Sequence, residues 1–254
     1  MAGRDTQREL GGLAAVVTGS ARNIGRAIAL ALAEGGAAVL VNARTARGEA
    51  EAAAEAIRAR GGRAEVFLAD VTVAAEAEAM VAAALAAFGR LDVLVNNVSA
   101  RSECAFADMS YAAWHGVLES TLGSAFHCTK AALPHLLASG RGAVVNIGGV
   151  ASHAGIAGRA HVAAAKAGLC GMTGALAVEL APGNITVNCV VPALINTDRG
   201  GGAVPPHYAG RPIPMGRVGE PEEVAALVRF LAGPGARFIS GQSIHANGAW
   251  LVTI

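Results

Sequence analysis

Residues 13–32, LAAVVTGSARNIGRAIALAL, decide the fold, because they read as a buried strand, a glycine turn and a helix in one uninterrupted run. Residues 13–17 are apolar and end in Val-Val, and Thr18-Gly19-Ser20 breaks the run with turn chemistry. From Asn23 to Glu34 apolar residues recur at helical spacing. Gly19 permits a sharp turn, and Gly25 lets the first helical turn press close to the strand or to a pyrophosphate. The N–H groups and positive dipole end of such a helix are where a diphosphate would sit. The stretch reads as a dinucleotide-binding opening, although glycine turns of this kind also occur in α/β proteins that bind no phosphate.

Outward from this unit the alternation repeats. Residues 37–42 read as a second strand, and Thr45 caps an Ala/Glu/Arg-rich helix that stops at Gly61-Gly62. Residues 64–69 form a third strand ending at Asp70, and Thr72 starts a helix that ends at Gly89. Residues 91–95 are a fourth strand running into Asn96-Asn97, followed by a long helix over 111–137. Strand five spans 142–147, a helix of small residues 158–180, and strand six 185–191. Glu220-Pro221-Glu222-Glu223 opens the last helix, and residues 243–246 are the seventh strand. Strands apolar on both faces and alternating with helices predict an α/β, Rossmann-type doubly wound domain: a parallel seven-stranded sheet flanked by helices, one domain over 1–254. Residues 192–216 hold Gly200-Gly201-Gly202 and Pro205-Pro206 and are too long for an ordinary connection, which predicts a lid or substrate loop.

Composition excludes several classes. With 20 basic and 19 acidic residues the net charge is +1, so there is no footprint for nucleic acid and no acidic tail. Apolar residues make up 53%, but the longest uncharged stretches are interrupted by His, Asn, Gly and Pro, so no membrane-spanning helix is expected. Arg4, Asp5, Arg8 and Glu9 precede the first apolar run, which argues against a secretory signal. Cys104, Cys128, Cys170 and Cys189 show neither CxxC nor CxxH spacing, predicting reduced thiols in a cytoplasmic protein and no metal site. Lysine is rare: only Lys130 and Lys166 occur.

Over essentially its whole length the chain resembles the short-chain dehydrogenase/reductase family. The resemblance is carried by Thr18-Gly19-Ser20-Ala21-Arg22-Asn23-Ile24-Gly25, Asp70-Val71-Thr72, Asn96-Asn97, Val145-Asn146-Ile147, Lys166-Ala167-Gly168-Leu169, Ile185-Thr186-Val187-Asn188, Pro192, Thr197-Asp198 and Phe238-Ile239-Ser240-Gly241-Gln242. It implies hydride transfer between a nicotinamide cofactor and a carbonyl or alcohol. It also implies a cofactor site built from Gly19, Ser20, Arg22, Asn23, Ile24 and Gly25, from Arg44, Asp70, Val71 and Asn97, and from Lys166, Pro192, Ile195 and Thr197. Asn23 stands where the family's TGxxxGxG has its middle glycine, a tolerable change because Asn enters the left-handed region readily. Val98-Ser99 follows Asn97 where the family usually has Ala-Gly, which alters the floor of the adenosine pocket. Position 43 is Ala where NAD-binding relatives commonly carry Asp, with Arg44 next to it and Arg22 in the turn. Two guanidinium groups and no carboxylate suit a 2′-phosphate, so NADP is the expected cofactor; the plainer reading is two solvated arginines.

The family's Tyr-x-x-x-Lys keeps Lys166 here, but Val162 stands four residues earlier. The family's serine falls on Gly149 and its helix asparagine on Thr121. A missing general acid typically costs about 10²- to 10⁴-fold in rate. His161, next to Val162, points about 100° away on a helix and does not fill the tyrosine's place. His153, on the loop after strand five, and Tyr208, in the lid, are the candidate substitute acids, while Lys166 holds the nicotinamide ribose. Three readings stay open: an NADP-dependent reductase of an imine or of a ketone that supplies its own proton, a non-redox cyclase or dehydratase, and a cofactor-binding partner subunit. Close packing of the small residues on helices 111–137 and 158–180 predicts a homotetramer or homodimer.

Overall fold

All four residues of β1 (Ala14–Val17) are buried, as are all residues of β2 (Ala38–Ala43), β4 (Val93–Asn96), β5 (Ala143–Ile147) and β6 (Thr186–Pro192). Strands buried on both faces need helices on both sides. In the computed structural model, which describes residues 8–198, 208 and 212–252, they have them. Helices α1 (Asn23–Glu34), α2 (Arg47–Arg58) and α7 (Pro221–Ala232) cover one face. The other face is covered by α3 (Ala74–Phe88), by α5 (Ser124–Ser139), which follows the short α4 (Tyr111–Leu118), and by α6 (Ala160–Leu180). The order is β3-β2-β1-β4-β5-β6-β7, every pairing parallel, with Val16 opposite both Leu40 and Leu94. The half-exposed strands, β3 (Ala64–Leu68) and β7 (Ser243–Ala246), are the two edges. The seven-stranded, doubly wound sheet predicted from sequence is therefore the fold.

Local details differ from the sequence reading where side chains found better partners. Thr45 does not cap α2: the helix starts at Arg47 with no side-chain cap, and Thr45 offers only its carbonyl, to Arg47 N. Thr72 does not start α3, because its hydroxyl donates to Asp70 instead and the helix opens at Ala74. The long helix over 111–137 begins where Ser110 Oγ accepts from Ala113 N, but a π-helical turn, Glu119–Gly123, separates α4 from α5. One helical stretch, Ala160–Gly183, is long and apolar enough to cross a membrane by length and composition, contrary to the expectation of none. Here it serves as a core helix, packed against β6. The Gly200-Gly201-Gly202 and Pro205-Pro206 clusters of the expected lid, and Arg4 and Asp5, lie outside the described residues.

A buried polar chain registers the central strands against the helices. Asn96 Nδ2 donates to Thr129 Oγ1 and Asn146 Oδ1, and Asn146 Nδ2 donates to Thr173 Oγ1 at 2.9 Å. Buried groups of this kind are costly unless paired, so the chain fixes one relative placement of β4, β5, α5 and α6.

Candidate active site

The sheet order reverses between β1 and β4, and a cleft of about 470 Å³ opens there at the carboxyl ends of the strands. The glycine turn lies beside it at the end of β1, with Ile24 in the lining. Gly19 has φ +60°, and a Cβ on Gly25 would stand 2.3 Å from Gly19 O and 2.6 Å from Asn97 Nδ2, so only glycine lets α1 start this close to the strand. Asn97 Nδ2 donates to the carbonyls of Thr18 and Gly19, and Thr18 Oγ1 accepts from Asn97 N and Val98 N. Ser20 Oγ accepts from Asn42 N, and Asn42 Oδ1 accepts from Gly19 N at 3.0 Å. Asn42 was not among the residues expected from sequence; an asparagine ending an otherwise apolar strand beside the turn was the available signal. Asn23 adopts φ +53°, the left-handed state anticipated for it. Its side chain also reaches the far wall, where Oδ1 accepts from Asp198 N at 2.9 Å. No side chain caps α1, so its first turn can hold a diphosphate beside Ile24, which lines the cleft.

Beyond β2 and β3 stand the residues that the sequence reading assigns to the adenosine end of a cofactor. Asp70 accepts from the Thr72 hydroxyl and amide, bonds that hold its carboxyl below the usual range despite partial burial, with Arg44 adding its charge. Arg44 lies 3.8 Å from Asp70, and Arg22 lies 4.0 Å from Glu49. Both guanidinium groups are exposed beside the end of β2. Val71 is buried.

On the opposite wall, Pro192 ends β6, Ile195 is buried in the lining, and Thr197 is half-buried just beyond it. Lys166 comes from α6, is 6% exposed, and donates from Nζ to Ile147 O at 2.7 Å. Burial pulls its ammonium down to about 8, and the nearby Arg101 and Arg159 push the same way. Val162 and Gly149 line the cleft with it. Gly149 has an extended φ of 163°, and nothing lies nearer than 4.0 Å to a Cβ built there. Thr121 sits in the π turn, where its hydroxyl accepts from Ala100 N at 3.3 Å.

The structure separates the two substitute acids. Tyr208 lines the cleft and tilts against Trp250, with ring centroids 5.5 Å apart. His153, which follows the 3₁₀ turn Val150–Ser152, is not among the residues lining it and stands beside His245 and Cys170. His161 is fully buried, hydrogen-bonded to Ser102 at 2.7 Å and absent from the lining, as its helical angle required. Arg101 and Arg159 also line the cleft, which sequence reasoning missed because both come from loops. Among the described residues no three His, Cys, Asp or Glu side chains converge to hold a metal.

Residues 19–249 match the sequence family described as Enoyl-(Acyl carrier protein) reductase. The chain belongs to the short-chain dehydrogenase/reductase family. Among its curated relatives is a 3-oxoacyl-(acyl-carrier-protein) reductase of Aggregatibacter actinomycetemcomitans, 39% identical over 92% of this chain and 97% of the relative. Another of the same name, from Staphylococcus aureus strain Mu50, is 38% identical over 92% and 96%. Solved structures of short-chain dehydrogenases superpose closely. A dehydrogenase/reductase from Sinorhizobium meliloti 1021 gives a TM-score of 0.92 at 34% identity, covering 97% of this chain and 98% of that one. A doubly substituted Serratia marcescens short-chain dehydrogenase/reductase gives 0.90 at 33%, covering 95% and 99%. Membership makes this an oxidoreductase scaffold.

Proposed function

We propose that this protein is an NADP(H)-dependent reductase that works without the family's usual proton-donating side chains, on an imine or on a ketone that supplies its own proton. The observation that carries the reading is the composition of the cleft around Lys166: Val162 and Gly149 line it where the resemblance places the family's tyrosine and serine. The uncapped end of α1, the Gly19–Gly25 contact and the paired Arg22 and Arg44 fit a phosphorylated dinucleotide, which when bound would supply the hydride. Lys166 then orients the ribose by hydrogen bonding, and its charge faces the reacting end of the cleft. Val162, Ile156 and Ala151 pack together as an apolar surface that excludes water from the acceptor carbon. An iminium substrate needs no added proton, and a ketone with a neighbouring phenol carries one. The relatives' name, 3-oxoacyl-(acyl-carrier-protein) reductase, supports carbonyl-type substrates but not the missing phenol.

The test is NADPH consumption with a panel of simple ketones, hydroxyaryl ketones and imines. Native protein is expected to turn over only the last two. The variant Val162→Tyr with Gly149→Ser places a phenol one helical turn from Lys166 and is expected to gain simple-ketone reduction by about 10²-fold or more. Efficient reduction of simple ketones by the native protein, abolished in Tyr208→Phe, would overturn the reading and make Tyr208 the acid. NADPH that binds and is never oxidised would overturn it in favour of a non-redox role.

A further inference from the structure

Near Lys166, between α6, β6 and the turn after β5, lies a cluster the proposed chemistry does not use. Cys170 follows Lys166 by one helical turn, and its Sγ stands 3.9 Å from Cys189 Sγ on β6 and 3.8 Å from His153 Nε2. Cys170 is half-buried and His153 exposed, so the cluster borders solvent. Cys189 is fully buried, and it fits only because residue 148 is glycine: a Cβ there would stand 2.7 Å from its sulfur. His245, on the edge strand β7, stacks on His153 with centroids 4.8 Å apart. Among the described residues no group of three or more His, Cys, Asp or Glu is placed to hold a metal ion, so the pair is read as thiol chemistry.

We propose that Cys170 and Cys189 form a peroxide-oxidisable dithiol, in which Cys170 is the attacking thiolate and Cys189 the thiol that resolves it into an intramolecular disulfide. The hydrogen bond with the Cys189 thiol holds Cys170 low, at about 5, with Ser243, Ser152 and then His153 adding to the effect against its burial; Cys189 is correspondingly raised by that bond and by burial. In the first step the Cys170 sulfur attacks one peroxide oxygen. The S–O bond forms, the O–O bond breaks, and the departing hydroxide takes a proton from solvent to become water. In the second, Cys189 attacks the Cys170 sulfur: the S–S bond forms, the S–O bond breaks, and hydroxide leaves with the Cys189 proton as a second water. Two thiols and one peroxide give one disulfide and two waters, the sulfurs losing two electrons. The sulfurs must close from 3.9 Å to a bond length of about 2 Å.

The test treats the purified native protein with hydrogen peroxide at neutral pH. Expected is the loss of two hydrogens by intact mass, reversed by dithiothreitol. Cleavage at Glu179, which lies between the two cysteines, should leave the fragments linked until reduction. Without peroxide, Cys170 should react with iodoacetamide at least about tenfold faster than Cys104, and His153→Ala should slow it. Cys170→Ser should abolish the link, whereas Cys104→Ser should leave it. Oxygen added to Cys170 while Cys189 stays free would overturn the proposal, as would Cys104 reacting first or a link that forms only after unfolding. These readouts need no cofactor and no turnover, so they stand or fall separately from the reductase reading.

Discussion

Lys166 is a buried cation whose one hydrogen bond among the described residues goes to a neutral carbonyl, Ile147 O. Its proton affinity is lowered from 10.5 to about 8, chiefly by desolvation. A lysine depressed on folding costs stability while it is charged. Between those two values the unfolded chain holds more protons than the folded one, so stability rises with pH across that window. The gap corresponds to about 3 kcal/mol at neutral pH. Lys166→Met is therefore expected to raise Tm by several degrees at pH 7, with the advantage shrinking as pH climbs from 8 to 10.5. Scanning calorimetry across that range checks it; a lower Tm for the variant, or a difference independent of pH, contradicts it. The chain tolerates the cost at a position where a cation faces the cleft. The positions of Val162 and Gly149 relative to Lys166 were read in the sequence through the family resemblance. The placement of His153 was not, because a three-residue turn after β5 decides where it stands.

At the scale of elements, the run from β1 through α1 was legible because local forces set it. A strand apolar throughout, a glycine with no room for a Cβ and a helix at period 3.6 all agree, and α1 spans Asn23–Glu34 as read. Asn42 escaped notice, although it stitches the end of β2 to the turn through Gly19 N and to β3 through Phe67 O. The ends of β2 and α1 together present Arg44 and Arg22. Each is exposed and only loosely paired, at 3.8 and 4.0 Å, so both remain available to a phosphate. NADPH is expected to bind more tightly than NADH. The double variant Arg22→Ala, Arg44→Ala should weaken NADPH by about tenfold or more and NADH much less, given the strength of charge-assisted bonds. Fluorescence titration of the two cofactors decides it: equal losses, or an initial preference for NADH, would refute the assignment.

At the scale of the whole molecule, the surface carries apolar side chains that the sheet does not need. Tyr111 on α4, Phe126 on α5 and Val178 on α6 are exposed at 88, 50 and 80%. A homotetramer packed through these helices is the expected assembly, and Phe126→Glu with Val178→Glu should lower its mass in light scattering. A concentration-independent monomer in the unaltered protein would contradict it. By itself the sequence determined the seven strands, their parallel arrangement and the glycine turn, because periodicity and backbone sterics act within a few residues of each position. Only the tertiary structure decided which side chains share a space. The latch from Asn23 to Asp198 joins residues 175 apart, and the polar chain from Asn96 to Thr173 joins two strands and two helices. The pairing of Cys170 with Cys189 and the seating of His153 against Cys170 belong to the same class. Such contacts depend on how helices seat on a sheet, and no local pattern in the chain encodes that distance.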